Sequence, residues 1–196
     1  MRNLVVIFFL VFGLTSCRST SDIPEITHRN ISVVSGNGTV EANILIERNK
    51  KAAKGDPAKM YAGYYLSGIH YTQGMVVGHP LDGLYRKFDG DNQLMISGKY
   101  QDGLKDGLWR KWNKAGKLTE SSTYRKGILD GERRIYFQGH PASIEQYKKG
   151  ELDGKQITFV SSDSIRVERY RNGEKIVKKH LFHGWFHPSQ KKDTIQ

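Results

Sequence analysis

Apolar residues occur along this chain in two arrangements: one unbroken run close to the N-terminus, and many short stretches separated by turns that contain glycine. The short stretches between residues 64 and 177 have a fixed period. Asp-Gly pairs recur 24, 24 and 23 residues apart, and tyrosines recur 24, 23 and 23 residues apart. The periodic pairs are Asp82-Gly83, Asp106-Gly107, Asp130-Gly131 and Asp153-Gly154, and the periodic tyrosines are Tyr100, Tyr124, Tyr147 and Tyr170. A period of about 20 to 50 residues is typical of arrays in which each unit packs on its neighbours.

Each unit of this pattern predicts one β-hairpin. Its Gly-x-x-Asp-Gly stretch supplies glycines that adopt positive φ and an aspartate that hydrogen-bonds the backbone, so we expect a tight reversal there. Residues 108–112 are rich in aromatics, which suits a strand. Residues 113–116 predict a second turn, and residues 117–124 predict a second strand. Because a single hairpin is only marginally stable, hairpins in series predict an all-β antiparallel meander.

These motifs resemble a known repeat. The Gly-x-x-Asp-Gly turns, the aromatics Trp109 and Trp112 and the closing Tyr-x-x-Gly are similar to the bacterial variant of the MORN repeat, which occurs in many lipoproteins of the Bacteroidetes type. The resemblance covers residues 64–177 and implies an elongated sheet that binds a partner. Residues 71–78 keep the glycine spacing without Asp-Gly, which predicts an irregular first repeat with a small insertion. Residues 173–177 also lack Asp-Gly, which predicts an end cap.

The segment before the array, residues 31–63, predicts a hairpin and a connection. Residues 31–34 and 40–46 alternate as strands do, and Ser-Gly-Asn-Gly joins them. In residues 56–60, aspartate at a capping position precedes proline, so one helical turn or more is expected there.

The N-terminus predicts export. Residues 4–13 form an apolar run that is shorter than the roughly 20 residues a membrane-spanning helix needs, so residues 1–16 are interpreted as a signal peptide. Leu14-Thr15-Ser16-Cys17 resembles the lipobox of bacterial lipoproteins, which implies that Cys17 is lipidated. The alternatives are an ordinary signal peptide or a buried strand. Cys17 is the only cysteine, so no disulfide forms within one chain.

Residues 17–30 are polar and are expected to be a lipidated, flexible tether, and residues 178–196 a C-terminal cap and tail. Two or more acyl chains anchor a protein stably to a membrane. By analogy with similar lipoproteins, we expect the periplasmic leaflet of the outer membrane.

The chain is basic, with a net charge of +11. Such a charge in the cytosol would favour nucleic acid, but an exported protein meets anionic lipid, lipopolysaccharide or peptidoglycan instead. No nucleic acid partner is therefore expected, and a merely solvated basic surface is the alternative.

The sequence holds no specific catalytic motif, and no cofactor is expected. Aspartates that recur in every unit indicate turn geometry, and the clustered oxygen ligands of a Ca²⁺ site are missing. His180, His183 and His187 are weak candidates for a Zn²⁺ or Cu²⁺ site, because no cysteine or acid completes the set. Surface histidines on a terminal strand are the alternative.

The recurring aromatics are the main candidates for binding. They are Tyr85, Phe88, Trp109, Trp112 and Tyr136. They could bury one face of the sheet, or form an exposed platform for a partner. Trp109 and Trp112 are three residues apart, which breaks the alternation of a strand, so either a bulge lies between them or one of them is exposed.

The favoured hypothesis is a membrane-anchored lipoprotein with a non-enzymatic binding or scaffolding surface. Its partner would be another envelope protein or an anionic envelope polymer. One alternative is an antitoxin or immunity-type protein, because some relatives of this repeat type carry an antitoxin label. Export argues against a cytosolic toxin. A second alternative is an envelope enzyme that acts on glycan or lipid. Against it, the sequence shows no set of residues suited to acid–base catalysis.

Overall fold

The structure, a computed structural model, describes residues 27–46, 55–161 and 163–177. In these ranges it is all-β without helices, and thirteen antiparallel strands form a meander in one open sheet. The strands are β1 (His28–Ser35), β2 (Gly38–Leu45), β3 (Met60–Tyr65), β4 (Gly68–Gln73), β5 (His79–Phe88), β6 (Leu94–Gln101), β7 (Leu104–Trp112), β8 (Leu118–Arg125), β9 (Ile128–Phe137), β10 (His140–Lys148), β11 (Glu151–Phe159), β12 (Ile165–Arg171) and β13 (Glu174–Lys175). The predicted signal peptide, Cys17, His180, His183 and His187 lie outside the described residues.

Each repeat contributes one hairpin, as its pattern predicts. The hairpins are β5–β6, β7–β8, β9–β10 and β11–β12, and each pairs with the next. A two-residue turn connects consecutive units. Between β6 and β7 this turn is Asp102-Gly103, with φ of 50° and 80°. Positive φ at both positions defines a type I′ turn, whose twist matches that of the flanking strands.

The four periodic Asp-Gly pairs are not at these reversals, which corrects the prediction. Asp82-Gly83, Asp106-Gly107, Asp130-Gly131 and Asp153-Gly154 lie inside β5, β7, β9 and β11. Their glycines have positive φ, for example 113° at Gly83, and the pairing register shifts opposite each of them. These glycines therefore form β-bulges, which need the same backbone freedom as a turn. The chain reverses before the strand that contains the bulge, at the glycine of Tyr-x-x-Gly, as at Gly103 ahead of Gly107.

The second turn of the unit falls where the sequence predicts it. The N–H of Asn113 donates to the carbonyl of Lys117 (3.0 Å), and the Asn113 side-chain oxygen accepts hydrogen bonds from the N–H groups of Ala115 and Lys117 (both 3.0 Å). An asparagine side chain that closes a turn in this way is a common substitute for backbone bonding.

The predicted N-terminal hairpin is confirmed as β1–β2, but β1 begins at His28. The last residues assigned to the tether, from His28 to Asn30, therefore belong to the sheet. The expected helical turn in residues 56–60 is wrong. The N–H of Lys59 donates to the carbonyl of Asp56 (3.0 Å), which closes a single turn, and β3 starts at Met60. The local sequence signal fits a turn as well as a helix. The pairing of β3 with β4 then decides between the two.

The irregular first repeat is a hairpin outside the order of the main sheet. β2 pairs directly with β5, while β3 pairs with β4 and with only the first residues of β5. The N–H of Ala62 donates to the carbonyl of Gly103 (2.7 Å), and the hydroxyls of Tyr71 and Tyr85 are 3.3 Å apart. The β3–β4 hairpin therefore covers one face of the sheet at β5–β7.

The covered face is named the tyrosine face here, because Tyr85, Tyr100 and Tyr124 lie on it. Its main core cluster is Ala42, Ile44, Ala62, Leu81, Tyr85, Tyr100 and Trp109, each at most 5 % exposed. Trp109 lies at the centre, with ring centroids 4.9 Å from Tyr100 and 5.5 Å from Tyr85. Burial of these aromatics is the main source of stability in this half of the sheet.

Candidate functional site

Two of the five candidate aromatics are core residues. Tyr85 and Trp109 are each 4 % exposed, and the indole N–H of Trp109 donates to the carbonyl of Lys99 (3.2 Å). They are therefore not part of an exposed platform. Their position under the β3–β4 hairpin agrees with the first of the two interpretations, in which the aromatics bury one face of the sheet.

The other three aromatics lie at strand ends. Phe88, Trp112 and Tyr136 are half-buried, and each precedes the second turn of its hairpin. A bulge shifts the pairing between Lys111 and Trp112, which accounts for the odd spacing of the two tryptophans. These three side chains remain partly accessible to a ligand.

Three of the four periodic aspartates accept a hydrogen bond from the backbone of a turn. A carboxylate oxygen of Asp82 accepts the N–H of Asp102 (3.0 Å), and Asp106 accepts the N–H of Lys126 in the next turn (3.2 Å). Asp153 accepts the N–H of Asn172 in the same way (3.3 Å). Each of these aspartates thus caps the type I′ turn that follows its hairpin. Among the described residues, no group of three or more His, Cys, Asp and Glu side chains could hold a metal ion.

The tyrosine face changes character along the sheet, a feature that the sequence analysis did not single out. The position that holds Tyr85 and Trp109 in the first two units holds Arg133 and Gln156 in the next two. A second position changes from small to acidic: Gly98, Ser122, Glu145 and Glu168. Pairing of β5–β12 brings both sets into one line across the strands. A polar residue at an aromatic position of the repeat is the signal that could have revealed this line.

Glu145 is at the centre of this polar half. It is 9 % exposed, and its oxygens accept hydrogen bonds from Tyr147 (3.2 Å), Ser143 (3.3 Å), Arg133 (3.4 Å) and Gln156 (3.4 Å). A buried carboxylate needs such donors, because burial of an unpaired charge costs several kcal/mol. The donors fix the orientation of Glu145 and of one another.

Arg133 joins Glu145 to a second carboxylate. Its Nε lies 3.6 Å from Glu120, which also accepts hydrogen bonds from Ser122 (2.7 Å) and Lys111 (3.0 Å). Burial alone would raise the pKa of Glu120, but the hydrogen bonds from Ser122 and Lys111 outweigh it and lower the pKa below its usual value. Glu120 is therefore ionised at neutral pH. Glu120, Arg133, Glu145, Tyr147 and Gln156 are named the charged row.

Lys105 lies between the aromatic core and the charged row. Its ammonium group is 4.7 Å from the centroid of the Trp109 ring and 5.0 Å from that of Tyr124. Burial, and secondly the charge of Lys111, lower the pKa of Lys105. Contact with two rings compensates part of the desolvation of this cation.

The β3–β4 hairpin does not extend over the charged row. In the described part of the chain, β3 packs on β5 and β7, and β9–β12 pack chiefly on their neighbours in the sheet. Fixed donors and acceptors on a sheet face that no other described element covers can recognise a polar ligand.

No protein-family model matches this chain, and no curated protein is significantly similar to it. Within the residues that the structure describes, no helix is long and apolar enough to cross a membrane.

Proposed function

We propose that this protein is an exported lipoprotein, anchored in the outer membrane by lipidated Cys17, whose repeat sheet is a non-enzymatic binding surface. The observation that carries the proposal is the change along the tyrosine face. This face is apolar where β3–β4 covers it, and it carries the charged row where the hairpin ends.

The charged row is not needed for the fold. The first two units use Tyr85 and Trp109 where the later units use Arg133 and Gln156, so the same hairpin forms with an apolar side chain. Charge pairs in partly buried places add little stability compared with apolar residues of similar size. A set of polar groups in those places supports recognition of a partner.

Binding is favoured over catalysis by the lowered pKa of Glu120 and by the donors that hold Glu145. A general acid or base works best with a pKa near the working pH. Glu120 has a lowered pKa, and Glu145 is held by four donors. Such carboxylates position cations and hydroxyls, and preorganised groups lose less entropy when a ligand binds.

The partner is another envelope protein or an anionic envelope polymer, and crosslinking in cells tests this. The lipidated protein would be recovered with its crosslinked proteins and polysaccharides, beside Arg133→Gln and Arg134→Gln variants. Arg134 is the matched control, because it lies on the opposite face and pairs with Glu132. We expect wild type and Arg134→Gln to retain a stoichiometric partner that Arg133→Gln loses at least about tenfold. Equal recovery with all three, or no partner with any, would contradict the proposal.

The anchor is tested separately. A Cys17→Ser variant has no thiol to accept lipid, so we expect it to leave the membrane fraction for the soluble fraction. If the variant still fractionates with membranes, the lipid anchor is wrong.

A further inference from the structure

A cavity of about 370 Å³ lies where the far ends of the first two repeat hairpins meet. Its lining includes Asn37 of the β1–β2 turn, Lys87, Asp89, Lys111, Trp112 and Thr119. Lys111 also donates to Glu120, so the cavity adjoins the charged row. Three features of its wall are not explained by the fold.

The first feature is a carboxylate oxygen without a donor. Oδ1 of Asp89 accepts hydrogen bonds from the N–H groups of Asp91 (3.0 Å) and Gln93 (2.9 Å), which closes the turn. Oδ2 is buried and accepts no hydrogen bond from any residue that the structure describes. The next unit closes the same turn with Asn113, so the turn requires one oxygen and no charge. A buried unpaired carboxylate oxygen destabilises the free protein, which points to a donor on a ligand.

The second feature is a pair of cations that occurs only at this junction. Lys87 and Lys111 occupy equivalent positions in successive units, and the next two units have Ile135 and Thr158 there. Lys111 is neutralised by Glu120. Lys87 is exposed and forms no ion pair with any described residue, so its charge is available to an anion.

The third feature is the indole of Trp112. The Trp112 ring is half-buried in the cavity wall, and within the described ranges its N–H donates no hydrogen bond, in contrast to that of Trp109. An aromatic surface beside an acceptor and a cation suits a ring that has an apolar face and polar substituents.

We propose that this cavity binds one acidic sugar unit of an anionic polysaccharide. Trp112 packs against the C–H face of the sugar ring, the Asp89 carboxylate turns so that Oδ2 accepts a sugar hydroxyl, and the Lys87 ammonium pairs with the sugar carboxylate. This inference rests on the proposed function, because it names the class of ligand for the binding surface.

The probes are oligogalacturonate, a neutral dextran oligosaccharide and polyglutamate, each titrated into the full-length lipidated protein in detergent. Calorimetry and tryptophan fluorescence would measure the affinity. Oligogalacturonate presents both the sugar ring and the carboxylate. We expect it to bind at least about tenfold more tightly than dextran, which lacks the charge, or polyglutamate, which lacks the ring. Equal binding of polyglutamate would assign the cavity to acidic peptides and overturn the proposal, as would equal binding of dextran.

Three variants test the residues. Asp89→Asn retains the turn bonds in the way Asn113 does, but replaces the free acceptor by a donor. We expect Asp89→Asn, Lys87→Gln and Trp112→Leu each to weaken oligogalacturonate binding about tenfold or more. The controls are Lys99→Gln, an exposed lysine on the opposite face, and Phe159→Leu, the equivalent aromatic of the last unit. Both controls should bind as wild type does.

Failure of this inference can be separated from failure of the proposed function. If Asp89→Asn and Lys87→Gln bind oligogalacturonate as tightly as wild type, the cavity proposal is wrong. The crosslinking result with Arg133→Gln then decides by itself whether the tyrosine face is a binding surface. An unchanged melting temperature of Asp89→Asn would show that lost binding is not lost folding.

Discussion

At the scale of single residues, Gly98 determines where the central aromatic ring lies. A Cβ atom at this position would lie 2.2 Å from a ring atom of Trp109 and 2.4 Å from another. The backbone of Gly98 is extended and needs no glycine for its φ angle. The requirement is space alone, because the indole packs flat on the strand.

Gly98→Ala is therefore expected to destabilise the protein. Insertion of a methyl group into a packed core costs about 1–3 kcal/mol. The control is Gly90→Ala, where a Cβ meets no atom within 4 Å, so its effect should stay within about 0.5 kcal/mol. Denaturant unfolding followed by tryptophan fluorescence measures both. A Gly98→Ala variant as stable as Gly90→Ala would contradict this packing.

Glu120 predicts a dependence of stability on pH. Hydrogen bonds from Ser122 and Lys111 outweigh burial and lower the pKa of Glu120 in the folded protein. A lowered folded pKa contributes stability above the unfolded pKa, and that contribution is lost as the pH falls through the folded value. Glu120→Gln should thus cost about 1 kcal/mol near pH 7, with the difference vanishing as the pH falls below the folded pKa of Glu120. Urea unfolding at several pH values tests this, and a difference that persists in acid would contradict it.

Glu132→Gln is the matched control for this experiment. Glu132 also pairs with an arginine, but its side chain is 42 % exposed, and surface pairs contribute little to stability. We expect a smaller loss at neutral pH than for Glu120→Gln.

At the scale of elements, the aspartate of one hairpin stabilises the turn that begins the next. The bond from Lys126 to Asp106 satisfies an N–H that the type I′ turn leaves without a backbone partner in the sheet. The carboxylate and the turn are 20 residues apart in the sequence, so each bond links two neighbouring units. This contact accounts for the aspartate in three of the four units, at Asp82, Asp106 and Asp153.

Asp106→Ala should remove that link and destabilise the array by about 0.5–2 kcal/mol, the usual cost of losing such a cap. Asp106→Asn retains an acceptor oxygen and should lose less. The control is Asp130→Ala, because Asp130 makes no such bond and lies 3.8 Å from the exposed Arg125. Thermal unfolding compares the three variants. If Asp130→Ala costs as much as Asp106→Ala, the cap is not the source of stability.

The sequence predicts the hairpins well because glycine, aspartate and aromatic positions recur independently. It does not predict which glycine reverses the chain, because that depends on positive φ at the residue before it, such as Asp102. A local pattern also misassigned residues 56–60, where strand pairing decides the outcome. In the candidate site, the change from Trp109 to Arg133 is visible in the repeat. Its meaning depends on where the β3–β4 hairpin ends, which only the three-dimensional arrangement shows.

At the scale of the whole molecule, the β3–β4 hairpin is an insertion into a continuous meander. Ile44 pairs with Leu81, and the carbonyl of Leu45 lies 3.2 Å from Nδ1 of His79. The ends of β2 and β5 are thus adjacent, although more than thirty residues separate them in the sequence. The inserted hairpin serves as a partial second layer over the sheet.

Replacement of residues 47–78 by an Asn-Gly turn is expected to leave the sheet intact and uncover its aromatic core. A two-residue Asn-Gly turn connects antiparallel strands at this spacing. Circular dichroism should keep its β signal, while the tryptophan emission shifts to longer wavelength and becomes easier to quench, because Trp109 loses its cover. The melting temperature should fall. Loss of the β signal, or an unchanged emission, would contradict the role of the hairpin as a cover.

The bond from Asp82, Asp106 or Asp153 to the following turn also bears on how such an array can change length over evolution. A duplicated segment of one period carries both an acceptor for the turn downstream and a turn for the acceptor upstream. In-frame duplication or loss of one period in the gene therefore preserves these contacts at the new junction. Recombination between repeats can lengthen or shorten the sheet by whole hairpins while the strands stay in register.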